Sequence, residues 1–311
     1  MPLFHHKSDD EKRAEGERAA HLAREQTDQR ESLSALSAGG IPVQAQRRLD
    51  ELRAREGAFY TSDLSVNEFL LARQVGYRPL SQVMGSSMYH MGWRYLNWYT
   101  PSGQLDVSTN AMNEARALAL GRLAQEASRI GASVVVGVHV TRSKYEWSEN
   151  MLEFSAVGTA MRLENAPPDA HPALTNLSGQ DFWKLYQAGY WPRGVVASSC
   201  VYHVVPTWRT QSMNSWFGSG RQNQELTEFT QGLYAARHLA TRAIHRQAAD
   251  LAAEGIVGMA IEQEQEEFEV SGGNDQERTD YLFTFQAIGT AIVQMWQRDK
   301  LSITPTLNLS M

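Results

Sequence analysis

Residues 64–90, LSVNEFLLARQVGYRPLSQVMGSSMYH, return at residues 177–203 as LSGQDFWKLYQAGYWPRGVVASSCVYH, without a gap and at a constant offset of 113. Eleven of the 27 positions are identical, among them Gly76/Gly189, Tyr77/Tyr190, Pro79/Pro192, Ser86/Ser199 and His90/His203. The run marks an internal duplication, and a duplicated unit is a folding unit. Two units of somewhat over a hundred residues are therefore expected, at 59–165 and 172–297. A chain of 311 residues with 42% hydrophobic content can give each of them a core.

Working outward from that run, pattern predicts the order of elements. Residues 65–75 carry Val66, Phe69, Leu70 and Gln74 at helical spacing and stop at Gly76. Residues 80–91 read as a strand. Residues 114–130 place Ala115, Leu118, Ala119, Leu123, Ala127 and Ile130 at three- and four-residue steps, an amphipathic helix ended by Gly131. Residues 132–141 are a buried strand, paired antiparallel with 151–163 through a turn expected at 148–150. The second unit repeats the order. Ala115-Arg116 and Val136-Gly137 match Ala236-Arg237 and Val257-Gly258 at an offset of 121, so eight residues were inserted before the helix. The last strand, 154–160, matches 285–291 at an offset of 131, so ten more lengthen the second hairpin. That extension carries Glu262, Glu264 and Glu266 on one strand face, where a hard cation such as calcium could bridge them. The simpler reading is a solvated arm whose charges prevent edge pairing.

The run from Glu114 through Val138, followed by Val157-Gly-Thr-Ala160, resembles the YbjQ-like family, most tightly over 115–160 and more loosely over 236–291. The resemblance implies an α+β fold in which each unit packs helices on a small, mainly antiparallel sheet. It also implies assembly into rings, and its name asserts heavy-metal binding, so a divalent transition metal is expected on that ground alone. Residues 1–58 and the polar tail 298–311 fall outside it. Gly137 and Gly258 lie inside apolar strands, as do Gly158 and Gly289, positions that mark a bulge or a close approach of another backbone.

Residues 1–58 hold ten Lys/Arg and eleven Asp/Glu and few large apolar side chains, which predicts a charged, partly helical arm that is either solvated or docks on a partner protein. The net charge of −6 argues against nucleic acid as the main partner. The start lacks a secretory pattern and no apolar run approaches the roughly 20 residues of a spanning helix, so a cytoplasmic chain without a membrane span is expected.

The single cysteine, Cys200, excludes an intrachain disulfide or a thiolate cage. Cys200 and His203 are the best local metal pair, with His90 at the matching place in the first unit, yet a spacing of three on a strand turns Cys200 and His203 to opposite faces. Ser86/His90 and Ser199/His203 share a face, but residues four apart on a strand are roughly 13 Å apart, too far for a nucleophile and its base. Gly218-Ser-Gly220 lacks the lysine of a phosphate loop. Trp93, Trp98, Trp208 and Trp216 read as core or subunit-interface anchors. The first expectation is therefore a non-enzymatic, ring-forming scaffold or assembly protein, and five chains giving ten units is the leading stoichiometry. The alternative is a heavy-metal-binding or metal-responsive protein using His90, His203 and Cys200.

Overall fold

A computed structural model describes residues 9–54, 60–74, 76–90, 96–145, 148–167, 171–207, 225–272 and 277–295. The chain runs through α1 (Asp9–Ser37), α2 (Val43–Ala54), α3 (Val66–Gln74), β1 (Arg78–His90), β2 (Gly103–Gln104), α4 (Asp106–Arg129), β3 (Val134–Tyr145), β4 (Ser148–Arg162), β5 (Ala173–Leu174), α5 (Gly179–Gln187), β6 (Tyr190–Val204), α6 (Thr227–Asp250), β7 (Gly255–Ser271) and β8 (Glu277–Gln294). Helices and sheets are thus mixed in an α+β arrangement. The strands form two four-stranded sheets, β1-β4-β3-β5 and β2-β6-β8-β7. Every pairing is antiparallel except the short β3–β5 contact. No helix among the described residues is long and apolar enough to cross a membrane.

Each sheet carries one long helix, and small side chains set the distance. Ala115, Ala119, Leu123 and Ala127 of α4 are fully buried against Val83, Phe154, Ala156 and Ala160 of the first sheet. Alanines let the helix approach so closely that a Cβ on Gly85 would collide with the Ala119 carbonyl and the Leu123 N–H. Ala236, Ala240 and Ile244 of α6 bury likewise against Val196, Cys200, Phe285 and Ala291 of the second sheet. At roughly 1.5–3 kcal/mol for each large apolar side chain taken out of water, these two layers supply most of the folding drive.

Within the sheets, Val83 faces Gly158 and Val136 faces Thr159, while Val196 faces Gly289 and Val257 faces Thr290. Both registers slip at a bulge, between Val136 and His139 and between Val257 and Ala260. Gly137 and Gly258 turn those bulges with φ of +64° and +63°, a left-handed backbone that side chains disfavour. Gly158 and Gly289 leave the room opposite: a Cβ on Gly158 would stand 2.7 Å from Val135 Cγ1, and one on Gly289 would stand 2.8 Å from Ile256 Cγ2.

Two boundaries differ from the sequence reading. α4 starts at Asp106 rather than 114, because Thr109 and Met112 in its added turns are buried in tertiary contacts that no local pattern reveals. Residues 148–150 belong to β4, whose Ser148 pairs with Tyr145 of β3, and not to the expected turn. The tail 298–311 lies outside the described residues. Of the arm, α2 is docked on α4: Leu49 is fully buried, Asp50 binds Arg129 in a bidentate pair at 2.7 and 2.8 Å, and Arg48 meets Glu126.

Candidate assembly interface

The most constructed polar surface in the molecule is the joint where α4, the helix of the first sheet, closes on β6, a strand of the second. β6 pairs with β8 along one side, and on its other side it meets only the two residues of β2. An uncapped strand edge this long would leave peptide groups without partners. Side chains cap it instead. Asn113 Oδ1 accepts from the Ser199 N–H at 2.8 Å while Asn113 Nδ2 donates to the Ser199 carbonyl at 3.0 Å, so the amide replaces a neighbouring strand. Gln247 of α6 does the same at Ala197, at 3.0 and 2.9 Å. Thr109 Oγ1 accepts from the Val201 N–H at 3.0 Å, and the Leu105 N–H donates to the Val201 carbonyl at 2.8 Å.

Arg116 stands beside Asn113 on α4. It is 4% exposed, donates to Ser199 Oγ at 2.7 Å and to Asn113 Oδ1, and lies over the Phe154 ring at 5.8 Å. Burial pushes its guanidinium down to about 10, so it remains a cation at neutral pH. A buried cation held by neutral acceptors and an aromatic face is costly, and a packed interface is what keeps water from it.

His203, further along the same strand, is fully buried. Its Nε2 lies 2.8 Å from Asp280 Oδ2 and its Nδ1 lies 3.1 Å from the Pro101 carbonyl. Both ring nitrogens therefore face oxygen atoms of other parts of the chain. Arg278 completes the cluster with two bonds to Asp280 at 2.6 and 2.9 Å, a bond to the Trp98 carbonyl, and its guanidinium 4.6 Å from the centre of the Trp98 ring. The cluster ties the segment before α4 to the second sheet. Its chemistry is that of a structural staple: every polar atom named is engaged with another part of the chain.

A third seam completes the joint. β5 adds in parallel to β3, and the Gly137 and Val138 N–H groups donate to the Leu177 and Thr175 carbonyls at 2.8 and 2.9 Å. The same segment holds the second sheet through Thr175 Oγ1 to Thr290 Oγ1 at 2.9 Å and Asn176 Nδ2 to the Gly258 carbonyl at 2.6 Å. Behind it, Phe182 and Trp191 pack edge-on at 5.8 Å between ring centres and bury Val134 and Val136.

The residues singled out from sequence are therefore dispersed. His203 is engaged on both nitrogens, and Cys200 points to the opposite face, into the α6 core, where burial and the Asp106 charge push its thiol up to about 12. Its Sγ lies 3.9 Å from Gln104 Oε1. His90 is exposed at the end of β1. No group of three or more His, Cys, Asp or Glu side chains among the described residues could hold a metal ion. Trp98 is half-buried in the staple, whereas Trp93, Trp208 and Trp216 lie outside the described residues. Glu264 pairs with Arg142 of β3. Sequence reasoning passed over Asn113, Thr109, Asp280 and Gln247. Thr109 and Gln247 left a trace: Thr230 matches Thr109 at the offset of 121, and Glu126, at the place of Gln247, accepts from the Met84 N–H through Oε2 at 3.0 Å.

Comparison with known proteins places this geometry in a family. The chain is 36% identical over 205 residues to the encapsulin nanocompartment protein Rv1762c of Mycobacterium tuberculosis, an alignment spanning 64% of this chain and 76% of that protein. This chain belongs to the same family. Residues 100–164, which hold β2, α4, β3 and β4, match the YbjQ_1 family, described as "Putative heavy-metal-binding". No solved structure matches the chain.

Proposed function

We propose that this chain is a self-assembling scaffold protein without a catalytic task, built from two tandem copies of one YbjQ-like unit at 59–165 and 172–297. The observation that carries the assembly reading is the kinship with a protein of an encapsulin nanocompartment, 36% identical and covered over 76% of its length. The duplication is supported by the coincident strand registers and bulges. It is supported again by the paired caps, because Met84–Glu126 and Ala197–Gln247 are related by the offsets of 113 and 121 found in the sequence.

The joint between the units supports an interface-building role. Its polar groups are consumed in holding elements together, which is what an assembly module requires and a reaction centre does not. Along α1, residues 16–27 are all exposed, and this helix is the segment we assign to contact with a partner protein. Sedimentation velocity of the purified full chain tests the reading: a species of several chains is expected, and a single chain at all concentrations would overturn it. The metal-responsive alternative, through His90, His203 and Cys200, draws its support from the family description alone. Titration with zinc, copper and nickel separates the two, since a scaffold should show no stoichiometric site.

A further inference from the structure

The joint has two sides, and each side has a duplicate elsewhere in the chain that is more exposed among the described residues, with the Ser86 carbonyl of β1 taken by Arg122 Nη1 at 2.6 Å. The first unit donates α4 and the edge of β3, and the second unit accepts them on β6 and the segment 173–177. If the units are copies, the second unit must carry an unused donor side, α6 with β7, and the first an unused acceptor side, β1 with the segment 60–64 and α3. Exposure agrees with this division position by position. On the acceptor side, Ser199, Val201 and His203 are 1%, 3% and 0% exposed, whereas their matches are half-buried Ser86, Met88 at 52% and exposed His90. On the donor side, Arg116 is 4% exposed and its match Arg237 is exposed, while Tyr234, at the place of Asn113, is 64% exposed. Val138, 3% exposed in the seam with the second unit, corresponds to Met259 at 43%.

The bare surfaces are apolar as well as exposed. Val66, Leu70, Met84 and Met88 lie on the acceptor side, and Tyr234, Met259 and Ile261 on the donor side, together seven of the twelve large apolar side chains exposed among the described residues. Concentrations of this kind mark contact surfaces.

We propose that α6 and β7 of one copy close on β1 and the segment 60–64 of a second copy of this chain, head to tail, reproducing the joint seen within the chain. In that contact Arg237 takes the part of Arg116 against Ser86, and Thr230 takes that of Thr109 at the Met88 N–H. A contact between unlike surfaces propagates, so copies add head to tail rather than stopping at a dimer, as a ring where the rotation closes and as a filament where it does not. The inference rests on the assembly and duplication readings above and specifies the partner and the surface.

Two variants of the full chain test it. Arg237→Glu, exposed within one copy, is expected to keep its circular dichroism and melting profile as a single chain and to shift the particle mass to that of one 34.9 kDa chain. Met88→Cys with Thr230→Cys, oxidised, is expected to give a ladder of covalently joined chains, and either cysteine alone none. A wild-type chain that is itself monomeric would sink the assembly reading and this inference with it. An oligomeric wild type whose Arg237→Glu form stays assembled, or whose paired cysteines fail to join chains, would overturn this surface alone.

Discussion

Replacing Asn113 by alanine removes the amide that stands in for a missing strand beside β6. Four bonds go at once: the two that satisfy the Ser199 peptide groups at 2.8 and 3.0 Å, the acceptor for Arg116, and the bond from Nδ2 to the Thr109 carbonyl at 2.8 Å. Ser199 is 1% exposed, so water does not take over. An unsatisfied buried peptide group costs about 1–3 kcal/mol, and two of them beside a cation with one acceptor fewer come to roughly 3 kcal/mol. Urea unfolding followed by circular dichroism at fixed protein concentration would read this as a lower midpoint with an unchanged slope. An exposed residue of the same helix, Val107→Ala, is the control. Val107 is 71% exposed, so this change should cost no more than about 0.5 kcal/mol. If Asn113→Ala were as mild as Val107→Ala, capping of the β6 edge would not be what holds the two sheets together.

Further substitutions probe the remaining parts of the joint. Gly137→Ala and Gly258→Ala both force a side chain into the left-handed region, at a cost of about 1–2 kcal/mol. The second should cost more in thermal melts, since its Cβ would stand 2.6 Å from Leu177 Cδ2 while that of Gly137 meets nothing within 4 Å. Asp280→Asn withdraws the carboxylate between His203 and Arg278 and should destabilise by about 3–5 kcal/mol, the range for breaking a buried ion pair, with loss of the Trp98 fluorescence environment. Cys200 is a raised thiol: below its unfolded value near 9 it is neutral in both states and its contribution is intact, and stability falls as pH rises from 9 towards about 12 because the unfolded chain ionises first. The folded protein should accordingly leave a thiol reagent unconsumed at pH 8 until urea exposes Cys200.

Where sequence and structure agree, the signal was local. Alanines at helical spacing in α4, the valine run of β3 and glycines within strands each declare themselves within a dozen residues. The joint does not, because its partners are far apart: Asn113 and Ser199 are 86 positions distant, and neither has a neighbour that marks it as an edge cap. Identity between the two matching stretches misleads in the same way. His90 and His203 are the same residue at the same place in the match, yet one is exposed and the other fully buried, since burial depends on what packs against each strand. The start of α4 is hidden for that reason too. Thr109 is buried against β6, where it caps the Val201 N–H, and with Met112 it forms no apolar stripe.

Copies of this chain are expected to complete one another's open surfaces. The particle mass of the wild-type chain, measured by mass photometry across a dilution series, is the direct test. The prediction is a discrete species at a whole-number multiple of 34.9 kDa that persists on dilution. A single-chain mass throughout would contradict it.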